Sequence, residues 1–273
     1  MRVLVYDCSA GISGDMNLAA LIDLGADRDI LKRELSRLNV HGEWKLECRR
    51  AGQAGIYGTR VDVLAQEHGH SGHSHEHHHR TMADIRRIIT ESGLPAAVQK
   101  TALSIFSLLA EAEARVHGTT PDQVHFHEVG AVDSIIDIVG AAICLDLLRA
   151  DAVFTGPVEL GGGRVTCQHG LMPVPAPATA QLARHFQSTL NGTPHEATTP
   201  TGAAYIAAVA QPAPSPLSGR IAAAGYGIGH REGLPLPNIL RVMLVETEEQ
   251  DTATERLTEL CANIDDMTPE QTA

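Results

Sequence analysis

One segment constrains the fold of this chain more than any other: residues 131–148, AVDSIIDIVGAAICLDLL, are almost wholly apolar yet carry Asp133, Asp137 and Asp146. Each aspartate at bilayer depth costs about 2.5–3.5 kcal/mol, so no membrane span is expected there. The segment reads instead as a helix buried inside a layered protein. Asp133 and Asp137, four residues apart, then share one helix face. A buried carboxylate without a partner is expensive, so something positive should meet this pair, and a divalent cation would do so. The plainer alternative is that Asp133 charges the helix N-terminus while Asp137 pairs with an arginine such as Arg115.

Composition agrees with a large soluble core. The chain has 273 residues and 43% hydrophobic content, but only 3% aromatic residues, so the core must be built from Ala, Val, Ile and Leu. Few aromatics and a formal net charge of -12 leave neither a base-stacking platform nor a phosphate-binding stripe, and no nucleic-acid partner is expected. Cys8, Cys48, Cys144, Cys167 and Cys261 lack CxxC spacing, which argues against a disulfide framework and for a reducing, cytoplasmic setting. The opening MRVLVYDCSAG meets Asp7 too early for a signal peptide and reads as a strand.

Periodicity predicts a strand over Val3–Tyr6, a Gly/Ser loop over Cys8–Gly14 and a helix over Met16–Leu24. Helices follow at 29–38, 82–91, 96–117 and 131–148, then near 178–186 and 202–210, with strands near 45–48, 59–64 and 238–245. The predicted class is α/β: a mixed sheet with packed helices, the helical stretch 82–148 lying against it. Residues 66–80 are set apart as a disordered His-rich loop, because HGHSGHSHEHHH holds seven of the 15 histidines and nothing able to bury apolar surface. Residues 1–246 form the expected α/β domain. Residues 247–273, a charged Thr-rich stretch leading into CANIDDMTPEQTA, read as a linker and the start of a further domain that is separate or missing.

Several segments carry chemistry. The tract containing His73, His75, His77, His78 and His79 offers many neutral imidazoles, ligands suited to Ni, Zn, Cu and Co, in a storage or delivery role. In VHFHEVGAVDSIIDIVG, an extended backbone places His125 and His127 on one face and Glu128 on the other, just before the aspartate helix. DCSAGISGDM is a Gly-rich turn into a helix N-terminus, where Ser13 and Gly14 can meet an anion, although Asp7 and Asp15 would repel a bare phosphate. It is neither a Walker A loop nor GxGxxG, and a tight turn alone explains it as well. EATTPTGAA offers a second such loop through Thr199, Thr201 and Gly202, with simple helix capping as its alternative. His169 stands in a Pro-rich turn near Cys167, and GYGIGHREG brings His230 and Arg231 to a Gly loop able to bind carboxylate or phosphate.

In this order, DCSAGISGDM, the His tract, AEARVHG, VHFHEVGAVDSIIDIVG, HGLMPVPAPAT, TPTGAA, GYGIG and PNILRV resemble the LarC family of nickel-insertion proteins from about Val3 to Val245, and again at NIDDMTPE. The resemblance implies a chelatase-like enzyme that inserts Ni²⁺ into a pyridinium bis-thiocarboxylate mononucleotide, forming two Ni–S bonds and one Ni–C bond. It also implies CTP with Mg²⁺ or Mn²⁺, bound through the further domain, and a homo-oligomer. On residue chemistry, nickel is assigned to the tract and to His125, His127 and His169. Proton removal or metal support falls to Glu128, Asp133 or Asp137, and the nucleotide phosphate to Ser13 and Gly14 or to Thr199, Thr201 and Gly202. A nickel-storage module without chemistry of its own and a Mg²⁺-dependent phosphohydrolase using Asp7, Asp15 and Asp133 are the competing readings.

Overall fold

The computed structural model describes residues 1–40, 43–66, 80–126, 130–167 and 170–247. In chain order its first part runs β1 (Arg2–Asp7), α1 (Gly14–Asp23), α2 (Arg28–Leu35), β2 (Glu43–Gln53), β3 (Ile56–Gln66), β4 (Arg80–Thr81) and α3 (Met82–Thr90). There follow α4 (Ala96–His117), β5 (His125–Phe126), α5 (Val132–Leu148), β6 (Ala152–Thr155), β7 (Val158–Glu159) and the hairpin strands β8 (Arg164–Cys167) and β9 (Gly170–Pro173). The remainder is α6 (Pro177–Leu182), β10 (Ser188–Thr189), α7 (Pro200–Val209), β11 (Gln211–Pro212), β12 (Arg220–Ile228) and β13 (Ile239–Glu246).

Seven strands make one mixed sheet in the order β11-β6-β1-β13-β12-β3-β2. β1 pairs parallel to β6 and antiparallel to β13, while β2 and β3 form a long antiparallel hairpin at one edge. Along β1 the side chains of Leu4 and Tyr6 turn into the core, as the period of two requires. The Tyr6 hydroxyl lies 3.0 Å from Asn17 Oδ1 and 2.9 Å from the Tyr205 hydroxyl, so one buried polar chain ties β1 to α1 and α7. That tie fixes where both helices begin, and hence the two loops that precede them.

The acid-bearing segment is α5, and it is central. Ile135, Ile136, Ile138, Val139, Ala141, Ala142, Ile143 and Cys144 are all buried, so the helix is enclosed on nearly every side, which explains its weak amphipathic pattern. The sequence predicts helices 82–148 packed on the sheet; here α1 covers β12, β3 and β13, and α5 stacks on α1 while reaching the sheet at β3. α4 packs on α3, α5, α6 and α7, one layer further out. The reason is α1 itself: seven of its residues are buried, so it needs cover on both sides. Among the described residues no helix is long and apolar enough to cross a membrane, and Cys8, Cys48, Cys144 and Cys167 are free thiols.

Candidate functional site

Helices α1, α5 and α7 all begin at the same place. Their first turns, at Ser13–Asp15, Asp133–Ser134 and Thr199–Thr201, line a cavity of about 710 Å³ whose other walls come from the end of α4, the β8–β9 hairpin and the loop after β12. Each helix start carries a partial positive charge and unpaired N–H groups, so the convergence favours negative charge in the cavity.

The two Gly/Thr loops are stitched together to make this convergence. Thr199 N donates to Ile12 O at 3.1 Å, and Glu159 N donates to Cys8 O at 3.1 Å. Thr198 Oγ1 donates to Glu159 O at 2.7 Å. Gly11 sits at φ 82° against the Ala197 carbonyl, so close that a Cβ there would come within 2.0 Å of its oxygen. Gly202 donates its N–H to Thr199 Oγ1 at 3.3 Å and packs on the Ile12 carbonyl; Thr199 and Thr201 line the cavity, and Gly202 lies behind them.

Three carboxylates meet at the cavity floor, each differently placed. Asp133 Oδ1 accepts the Ser134 N–H at 2.8 Å within the first turn of α5, where a negative charge suits the helix N-terminus. Asp15 accepts from Ser13 Oγ and stands 3.0 Å from His230 Nδ1; burial raises its pKa, but these hydrogen bonds outweigh it and the net shift is downward. Asp137 Oδ1 is buried and has no hydrogen-bond partner among the described residues. Burial drives the Asp137 carboxyl well above the usual carboxylate range, and the charges of Asp15 and Asp133 push it the same way. Two neighbouring acids with pKa values driven apart are the arrangement that acid–base chemistry requires. Arg115, the suggested partner for Asp137, lies elsewhere, in a surface groove with Gln181 and Arg184.

A family description, Nickel insertion protein, matches residues 4–273. The chain belongs to this family. Pyridinium-3,5-bisthiocarboxylic acid mononucleotide nickel insertion protein of Akkermansia muciniphila is 80% identical over 273 residues, covering 100% of this chain and 67% of that protein. The protein of the same name from Clostridium kluyveri is 48% identical, over 99% of this chain and 68% of its own length. A putative nickel insertion protein of Wolinella succinogenes is 46% identical, over 100% and 67%. No solved structure matches the chain.

For a member of the nickel insertion family, the metal ligands are the natural question. Among the described residues no group of three or more His, Cys, Asp and Glu side chains is arranged to hold a metal ion. The described acids of the floor do not by themselves make a closed cage of the kind structural metal sites use. His73, His75, His77, His78, His79, His127, Glu128 and His169 lie outside the described residues, as does the side chain of His125, whose backbone pairs with Thr81 in β5. Asp7, one of the acids of the phosphohydrolase reading, pairs with Arg241 of β13 and is not among the cavity residues.

Sequence reasoning passed over several groups that the fold brings in. Glu113 and His117, four residues apart on the last turns of α4, line the cavity with His117 Nε2 3.3 Å from Glu113 Oε2. Their i,i+4 spacing in AEARVHG was the available signal. Met172 was passed over too; it lines the wall from the β8–β9 hairpin together with Cys167, which the sequence had already offered as a soft ligand.

His230 is held between two acids, Asp15 at 3.0 Å and Asp62 at 2.6 Å, and Asp62 is itself paired with Arg49. Hydrogen bonding to Asp15, then to Asp62, raises the imidazole to about 9 despite some desolvation. A raised histidine stabilises in full below its free value of 6.5 and loses that contribution as pH climbs through about 9. Asp15 and Asp62, both lowered, contribute above 3.8 and fail only in acid below it. The stability difference between the wild type and His230→Gln, measured by urea unfolding, should thus be largest near pH 5–6 and shrink toward zero beyond about pH 9. A difference that stays flat across that range would show that the bridge is not charged.

Proposed function

We propose that this chain inserts nickel into pyridinium-3,5-bisthiocarboxylic acid mononucleotide, the reaction for which its Akkermansia and Clostridium relatives are named. One observation carries the reading: a buried carboxyl oxygen of Asp137, without a hydrogen-bond partner among the described residues, lines a cavity large enough for a mononucleotide. Burial disfavours the ionised form here, and an arriving Ni²⁺ reverses that preference by supplying the missing opposite charge. Asp137 then gives up its proton to solvent and faces the metal as a carboxylate.

The chemistry follows from that charge exchange. Two thiocarboxylate sulfurs donate to nickel, the ring C–H bond breaks, and its electron pair becomes the Ni–C bond while nickel stays divalent. The released proton passes to Asp137: once two thiocarboxylates and the ring carbon have neutralised the metal's charge, burial again favours the protonated carboxyl. Asp15 stays ionised under His230 and steadies the positive charge of the metal and of the pyridinium ring. His125, His127 and His169 are proposed to hand nickel to the cavity, and Glu128 and Asp133 to support it. The reaction makes the chain a lyase of the cyclometallase type. CTP with Mg²⁺ or Mn²⁺ is proposed to drive it in the cytoplasm, through the third of the relatives' length that this chain does not span.

The tract at 68–79 is assigned the reservoir. Deleting it is expected to lower the nickel bound per chain, by equilibrium dialysis, while insertion at saturating nickel proceeds at close to the full rate. Loss of insertion at every nickel concentration would instead place the chemistry in the tract and overturn the cavity reading.

A further inference from the structure

The cavity presents a contradiction for any mononucleotide: five acids, Asp15, Glu113, Asp133, Asp137 and Glu196, line it, and a phosphate dianion among them is repelled. Among the described residues Arg231 is the one Lys or Arg in that lining. Its backbone is pinned. Gln53 Nε2 donates to the carbonyls of Gly229 and Arg231, both at 2.9 Å, Gln53 Oε1 accepts from Asn238 N at 2.9 Å, and Arg60 donates to Gly229 O at 2.7 Å. Its guanidinium is not. The nearest carboxylate, Glu196 Oε2, stands 3.6 Å from Nη2, an ion pair too long for a hydrogen bond, and no other hydrogen bond of the guanidinium is found among the described residues.

Of the two anion loops read from the sequence, the first is already committed. Ser13 Oγ is spent on Asp15, and the Asp137 carboxyl lies so close over Gly14 that a Cβ there would come 2.8 Å from Oδ2. The second loop is open in both senses. Thr199 Oγ1 accepts from Gly202 N and so keeps its own proton to give, and Thr201 adds a second hydroxyl at the start of α7. Glu196, which faces Arg231, lies three residues before Thr199 on the same segment.

We propose that Arg231, with the hydroxyls of Thr199 and Thr201, forms the subsite for the phosphate of the mononucleotide, and that Glu196 is the stand-in anion which the phosphate displaces. This rests on the nickel-insertion reading and orients its substrate: with the phosphate fixed at Arg231, the charged ring is turned toward the acids at Asp15, Asp133 and Asp137. Arginine suits the task because its planar fork meets two phosphate oxygens at once.

The test is binding by calorimetry of pyridinium-3,5-bisthiocarboxylic acid mononucleotide and of its dephosphorylated nucleoside, to the wild type, Arg231→Gln and Arg231→Lys. Arg231→Gln should weaken the mononucleotide on the order of 10- to 100-fold and leave the nucleoside within about 2-fold, while Arg231→Lys recovers part of the loss. Equal weakening of both ligands would reduce Arg231 to a support of its loop, and unchanged mononucleotide binding would remove it from the site; either overturns the subsite alone. A wild type that binds the nucleoside and the mononucleotide equally well overturns it too. A wild type that binds neither overturns the nickel-insertion reading itself.

Discussion

Asp137→Asn is expected to lower the rate of nickel insertion by about 10²- to 10⁴-fold without loss of stability. The two halves of that statement have one cause. The wild-type carboxyl is buried, has an oxygen without a hydrogen-bond partner among the described residues, and its ionised form is disfavoured by burial and by the charges of Asp15 and Asp133. Asparagine fills the same volume and carries no charge to bury, so the fold is as stable as before or more so. It also cannot balance Ni²⁺ or accept the ring proton. Urea unfolding and single-turnover product formation on the same preparation read both effects. The pH profile adds a third: the wild-type rate should fall on the acid side as Asp137 becomes harder to ionise, and the variant's residual rate should lack that limb. An asparagine variant that inserted nickel at the full rate would leave Asp137 a packing residue and remove the base from the mechanism.

The second large effect concerns stability. Gly11→Ala puts a Cβ on a residue at φ 82° and within 2.0 Å of the Ala197 carbonyl oxygen. The left-handed backbone costs about 1–2 kcal/mol for a residue with a side chain. Forcing backbone away from backbone costs about 1–3 kcal/mol more, because neither segment is a flexible side-chain tip. Gly118→Ala separates the terms, since Gly118 has φ 65° at the end of α4 and open space where a Cβ would point. Urea midpoints should show a loss of about 1–2 kcal/mol for Gly118→Ala and about twice that or more for Gly11→Ala. Equal losses would mean that the two loops are not in the close contact described. Because that contact sets α1 against α7, Gly11→Ala should also weaken mononucleotide binding, and Gly118→Ala should not.

How much of this was legible beforehand follows from range in sequence. The aspartates of α5, the helix starts after Ser13 and Thr199, and the helix 96–117 are local patterns, and the structure has them within a residue or two of where periodicity puts them. That α1 covers β12, β3 and β13, while the stretch 82–148 meets the sheet chiefly through α5 at β3, is not local. It depends on β1 lying between β6 and β13, a pairing that spans most of the chain. The same holds for Arg231. Its residue type was visible in GYGIGHREG, but it reaches the cavity only because β12 lies beside β3 and Gln53 of the β2–β3 hairpin ties the loop down. As for the plain alternative, Asp133 lies in the first turn of α5 and accepts the Ser134 N–H, while Asp137 Oδ1 has no hydrogen-bond partner among the described residues.

The edge hairpin has one further bearing, through light rather than binding. The chain's one tryptophan, Trp44, lies on β2 opposite Ala65, one residue pair from the point at Gln66 where β3 ends and the chain leaves for the histidine tract. Four strand spacings, about 19 Å, separate β2 from the β1 strand that leads into the cavity. An open-shell ion extinguishes indole emission only at short range. Trp44 fluorescence is thus expected to respond to metal held close to the end of β3, the point from which the chain enters the histidine tract.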